Sequence, residues 1–217
     1  MFEKWQVDLE KFEILTGVAA LMLLPNINTD VIIRIERLVE LPRDELGPYC
    51  FEAWRYNADG SENAEFVLNK PSLKQAKILL AGPNFGCGSS REAAVWALWG
   101  MGFRCVIAPS FGEIFFTNCF QNGMLPIVLP EPVVSQLAGQ MGLEAPAELT
   151  VDLNRQSISA ADGLAVTFQI DGLKKAALLD GLDEITMTFR RSAEIDDYQA
   201  RQRRAKPWLY EINNSKF

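Results

Sequence analysis

The residues of this 217-residue chain best suited to chemistry lie together in Gly86-Cys87-Gly88-Ser89-Ser90-Arg91-Glu92. Glycines let a backbone approach a ligand in conformations that a side chain forbids. The first amides of a helix lack internal partners and sit at the positive end of its dipole. With the Ser89 and Ser90 hydroxyls and the Arg91 guanidinium as further donors, such a loop would suit a carboxylate or a phosphate. It is not a common nucleotide loop, because the lysine of G-x-x-x-x-G-K-[ST] is missing and Arg91 stands where G-x-G-x-x-G requires its third glycine. Taken alone, the segment reads equally well as a Ser-capped helix, with Glu92 beside the cap, behind a connecting turn.

The sequence contains no histidine, so neither an internal Ser-His-Asp triad nor a histidine-activated Cys87 can form. Cys87 is read first as a small side chain filling a tight loop. Cys50, Cys87, Cys105 and Cys119 include no C-x-x-C pair, so neither a zinc site nor an iron-sulfur ligand set is expected within this chain. They read as free thiols of a reducing, cytoplasmic compartment, with Cys105 in the core.

The elements that must position the loop follow from periodicity. Lys77–Ala81 is an apolar strand. The helix after the loop should bury Ala94, Trp96, Ala97, Leu98 and Met101, with Gly100 or Gly102 closing it. Cys105–Ala108 is a second strand, Phe111–Phe120 a second helix, and Leu125–Leu129 a third strand. This β-α-β-α-β order predicts parallel strands with right-handed crossovers. Upstream, residues 3–10 read as a ragged or strand-like terminus. Phe12–Thr16 and Ala20–Leu24 read as two short strands parted at Gly17, and Pro25–Asn28 turns into Thr29-Asp30. Phe51, Trp54 and Tyr56 read as core aromatics. Downstream come a helix over Glu131–Leu137, a loose connection over 139–146, strands over Leu149–Leu153, Ser157–Ser159 and Ala165–Ile170, and helices over Leu173–Leu182 and Ala193–Lys206. The last helix begins acidic and ends basic, as its dipole favours.

A chain of this length can bury roughly 70% of its unfolded surface in one core. A net charge of -7 argues against a broad nucleic-acid face. The apolar run Ile14–Leu24 is shorter than the ~20 residues of a membrane span, so neither nucleic acid nor a membrane is expected as a partner.

The loop, read together with the following WAL, GF and VIAPSFGEIFFTNCFQNGMLPIVL, resembles the small subunit of bacterial 3-isopropylmalate dehydratase, the swivelling domain of the aconitase superfamily. Asn26–Asp30 (NINTD), FEAWRY, FVLNKP and LLDGLDEITMTF extend the likeness over most of the chain. The resemblance implies an α/β fold, a three-layer β/β/α swivelling domain with a mostly parallel central sheet. It implies one domain over 1–217, with an N-terminal β layer and substrate loop (1–75), the core with the glycine loop (76–130), and C-terminal hairpins and helices (131–217). It also implies a hydro-lyase active only with a large subunit, isomerising 2- and 3-isopropylmalate by dehydration and rehydration in leucine biosynthesis. The [4Fe-4S] cluster belongs to that large subunit, and this chain binds no cofactor. By carry-over, Ser89 is the proton-abstracting base. Ser90, Arg91, Gly88, Asn28, Thr29, Asp30 and Arg34 contact the 2-substituted malate.

Three departures stand out. Asn28 replaces the usual aspartate, Arg34-Ile35 follows Ile32-Ile33 where the family inserts a proline and several residues, and Ala93 and Val95 replace a histidine and a proline. Two alternatives therefore stay open: a subunit for another alkylmalate such as dimethylmalate or citramalate, and a non-catalytic anion-binding or assembly subunit.

Overall fold

The computed structural model describes residues 9–139 and 147–210. In chain order the elements are β1 (Ile14–Met22), α1 (Thr29–Ile32), α2 (Ile35–Glu40), α3 (Glu52–Arg55), β2 (Ile78–Ala81), α4 (Glu92–Met101), β3 (Cys105–Ala108), α5 (Glu113–Gln121), β4 (Leu125–Val128) and α6 (Glu131–Gly139). They continue with β5 (Glu148–Asp152), β6 (Ser157–Ala160), β7 (Ala165–Thr167), α7 (Gly172–Asp180), α8 (Glu184–Phe189) and α9 (Ser192–Ala205). Residues 3–8 of the expected ragged or strand-like terminus over 3–10, and 140–146 of the connection over 139–146, lie outside the described residues.

The strands form one sheet in the order β4-β3-β2-β1-β5-β6-β7. Strand β1 joins its two halves by changing partners along its length. Ile14 to Val18 pair antiparallel with β5, while Ala19 to Met22 pair parallel with β2. The expectation of two short strands is thereby corrected. Gly17 stays in the ladder opposite Leu149 instead of forming a turn, so the strand runs on without a break.

The parallel half, β1 to β4, is the β-α-β-α-β unit foreseen from periodicity. Successive strand residues point to opposite faces, and here both faces are covered, so β2 and β3 are buried at every position. Leu79, Ala81, Val106 and Ala108 pack in one core with Ala94, Ala97 and Leu98 of α4. Ile78, Leu80, Cys105 and Ile107 pack in the other with Leu149, Val151 and Ile158 from β5 and β6 and with Leu178 of α7. The antiparallel strands thus share a core with the face opposite α4, which gives the β/β/α layering.

Helix α4 buries more than the expected stripe. Ala93 and Val95 are in the core, whereas Trp96 and Met101 are half-buried. Besides the sheet, α4 contacts α1, α5 and the short turns at 43–49, so apolar residues are needed on more than one side. Gly102, in the left-handed region at φ 110°, closes the helix. Asn122, at the end of α5, is buried, and its Nδ2 donates to Glu92 Oε1 at 2.8 Å while its Oδ1 accepts from Trp96 Nε1 at 2.9 Å. The start of α4 is therefore tied to the end of α5. Four short helices were not foreseen: α1 and α2 after the turn at Asn28, α3 inside the aromatic segment, and α8 inside LLDGLDEITMTF, where Asp183 caps Thr186 N at 2.7 Å. The C-terminal α9 buries none of its residues. Among the described residues no helix is long and apolar enough to cross a membrane.

Candidate functional site

The loops that leave β1, β2 and β3 converge beyond the carboxyl ends of these parallel strands, where open α/β sheets place their ligand sites. Backbone hydrogen bonds zip the first two together: Asn26 N to Pro83 O at 2.9 Å, Gly86 N to Ile27 O at 2.7 Å, and Thr29 N to Cys87 O at 2.9 Å. The third loop braces the second through Phe85 N to Ser110 O at 3.1 Å and Gly112 N to Phe85 O at 2.9 Å. Gly86 (φ 69°) and Gly88 (φ 88°) occupy the left-handed region, which explains the glycine spacing.

This zipper brings together residues some sixty positions apart in sequence. Asn28 caps α1, its Oδ1 accepting from Val31 N at 2.8 Å. Thr29 is buried and donates from Oγ1 to the Ser89 carbonyl at 2.7 Å. Asp30 projects from the first turn of α1 and accepts a hydrogen bond from Ser89 Oγ at 3.4 Å. Its other oxygen pairs with Arg91 Nη1. Arg91 Nη1 also donates to the Ile33 carbonyl at 3.3 Å, so the guanidinium is fixed from both sides, with no hydrogen bond from Nη2 among the described residues. Ser89, Ser90 and Gly88 are exposed on this surface, and Arg91 is largely covered.

The serines do not cap α4. Its N-cap is Arg91 in extended conformation, without a side-chain capping bond, and Glu92 supplies the negative charge of the first turn. The Ser-capped reading of the loop is thus corrected. Both hydroxyls lie ahead of the helix, free of its backbone.

Arg34 stands apart from this cluster. It lies 3.6 Å from both Glu36 and Glu52, on the side of α2 and α3. Glu52 was not singled out in the sequence, because a lone acid within an aromatic run gives no signal. Its bond to Arg37 Nε, at 2.9 Å, holds that guanidinium pKa above the ordinary arginine value.

All four cysteines are free thiols. Burial pushes the Cys50, Cys105 and Cys119 pKa values up, while Cys87 is half-buried in the glycine loop. The thiolate is the reactive form, so a thiol reagent should modify Cys87 alone in the native protein and all four cysteines after unfolding. Rapid native labelling of a second thiol would contradict this burial.

These features define a swivelling-type α/β domain with an open polar surface at its strand ends. A family model described as the Aconitase C-terminal domain matches residues 9–132, and a second, LeuD_N, matches residues 136–172. The 3-isopropylmalate dehydratase small subunit of Dinoroseobacter shibae is 50% identical over 201 residues, 93% of this chain and 100% of that protein. The subunit of the same name from Rhodospirillum centenum is 50% identical over 92% of this chain and 98% of its own. A crystal structure of 3-isopropylmalate dehydratase from Methanocaldococcus jannaschii superposes with a TM-score of 0.63 at 25% identity, covering 85% of this chain and 99% of that one. The chain belongs to the 3-isopropylmalate dehydratase small-subunit family of the aconitase superfamily.

Proposed function

We propose that this chain, acting as one swivelling domain over 1–217, is the small subunit of a cytoplasmic hydro-lyase that interconverts 2- and 3-isopropylmalate in leucine biosynthesis. The observation that carries this reading is the convergence of Ser89, Asp30 and Arg91 at the strand ends, on a surface open to a second chain. The large subunit would carry a [4Fe-4S] cluster, which supplies a Lewis acid for the departing hydroxyl. Among the described residues no three His, Cys, Asp or Glu side chains gather as a metal-ligand set.

This chain's own residues would handle the proton and the carboxylate. Ser89 Oγ removes the proton from the carbon next to the hydroxyl-bearing carbon. An unperturbed serine hydroxyl is almost never ionised near neutrality, so the base must be helped. Asp30, hydrogen-bonded to Ser89 Oγ, accepts the hydroxyl proton, and the Arg91 guanidinium offsets the negative charge. Arg91 Nη2 receives a substrate carboxylate oxygen, with Ser90 and the amide of Gly88 beside it. Asn28 and Thr29 hold the Asp30 loop in register. Once the partner closes over this surface, exclusion of water strengthens each of these interactions.

The test is turnover. The purified chain is mixed anaerobically with the cluster-loaded large subunit and offered 3-isopropylmalate, dimethylmalate and citramalate. Turnover of 3-isopropylmalate above the smaller malates is expected. Preference for one of the others would change the substrate and keep the chemistry, whereas binding without turnover would favour an assembly role.

A further inference from the structure

Residues of α2, α3 and the segments next to α3 line an open cleft of about 470 Å³, among them Arg34, Arg37, Tyr49, Glu52, Tyr56 and Asn57. Its two arginines are bound very differently. Arg37 is held on two sides: it donates to Glu52 Oε2 at 2.9 Å and to Glu40 Oε2 at 3.0 Å, and its guanidinium lies 4.2 Å from the Tyr49 ring centre. Arg34 has no hydrogen bond among the described residues. Its Nε is 3.6 Å from Glu52 Oε1 and 3.6 Å from Glu36 Oε2, beyond hydrogen-bonding range. Its side chain is also half-exposed.

Glu52 shows the matching deficit. Its side chain is only 10% exposed. Oε1 is buried without a hydrogen-bond partner, an expensive state for a carboxylate oxygen. The loose contact thus joins a guanidinium with unused donors to a carboxylate with an unused acceptor. Arg34 also follows directly on Ile33, whose carbonyl is bound by Arg91. The backbone next to Arg34 is therefore tied to Arg91 of the Ser89–Asp30–Arg91 cluster, while the Arg34 side chain is held only by these two long ion-pair contacts.

We propose that Glu52 is a positioning residue that docks Arg34 while the site is empty and releases it to bind the second carboxylate of the substrate. This inference rests on the functional reading above, in which Arg91 takes the first carboxylate of a 2-substituted malate. An arginine fork matches a carboxylate in bidentate geometry, and two carboxylates on one small substrate require two cations. Docking competes with binding, so Glu52 sets the apparent affinity through Arg34.

The experiment is a double-mutant cycle on the reconstituted enzyme, reading KM and kcat separately. Arg34→Ala is expected to raise KM for 3-isopropylmalate about ten-fold, the loss of a charge-assisted hydrogen bond. Glu52→Gln is expected to lower KM by a factor of about two to five, as suits a weak, partly exposed pair. In the Arg34→Ala background Glu52→Gln should leave KM unchanged. Should Glu52→Gln not fold, Glu52→Asp keeps a charge for Arg37 while withdrawing reach from Arg34, with the same sign expected. If KM rises in Glu52→Gln, or shifts equally in both backgrounds, Glu52 merely packs α2 on α3 and the inference is overturned. A wild-type complex without turnover on any malate overturns the functional reading, and this inference with it. A working wild-type complex with an uncoupled pair overturns the inference alone.

Discussion

Replacing Ser89 by alanine is expected to lower turnover of 3-isopropylmalate by roughly 10²–10⁴-fold, the usual contribution of a positioned general base. Folding and assembly should survive, because Ser89 is exposed and alanine preserves the carbonyl that accepts from Thr29 Oγ1. The hydrogen bond lost to Asp30 is 3.4 Å long and exposed. Removing it should change stability by no more than about 0.5 kcal/mol, as for other surface substitutions. The informative readout is the split between constants. A base lost only from the transition state lowers kcat and kcat/KM together, whereas a lost binding contact raises KM. Ser90→Ala in parallel should show the milder, binding-type effect. If Ser89→Ala turned over like the wild type, the proton would have to be taken by another group, and Asp30 would be the first candidate to test.

The largest effect on stability is expected at Gly86. Its φ of 69° lies in the left-handed region, and a Cβ there would run into the ring of Phe115. That ring cannot retreat easily, because Phe115 is buried and packs edge-on against Phe85 at 5.4 Å between ring centres. Gly86→Val combines backbone strain with overpacking, together about 2–5 kcal/mol. For a domain of this size that corresponds to a fall in Tm of roughly 5–15 °C. Gly60 is the control. It too has positive φ, at 82°, but a Cβ there meets nothing within 4 Å, so Gly60→Ala should show the backbone cost alone. Equal losses at the two positions would mean that the contact with Phe115 contributes nothing.

Much of the architecture was legible in local pattern. The alternation of the short apolar runs Lys77–Ala81, Cys105–Ala108 and Leu125–Leu129 with two helix-forming segments points to parallel strands with helical crossovers. The paired glycines around Cys87 announced left-handed backbone, and both have it. Where local pattern failed, a distant partner had overruled it. Gly17 looked like a break, yet β5, more than a hundred residues later, holds it in the ladder. Ala93 and Val95 were not on the expected helix stripe, yet both are buried in a helix that also packs against α1 and the turns at 43–49.

The candidate site divides in the same way. Residue types and spacing around Gly86-Cys87-Gly88-Ser89-Ser90-Arg91 singled out the groups suited to chemistry, and the resemblance carried by these and the other motifs pointed to the family and to Asn28-Thr29-Asp30. Only the tertiary structure decided that Asp30 joins Ser89 to Arg91, that neither serine caps α4, and that Arg34 lies beside Glu52. The first and last of these are contacts between segments some twenty to sixty residues apart. No local period encodes such contacts, because they form only once the chain has packed its separate segments against one another.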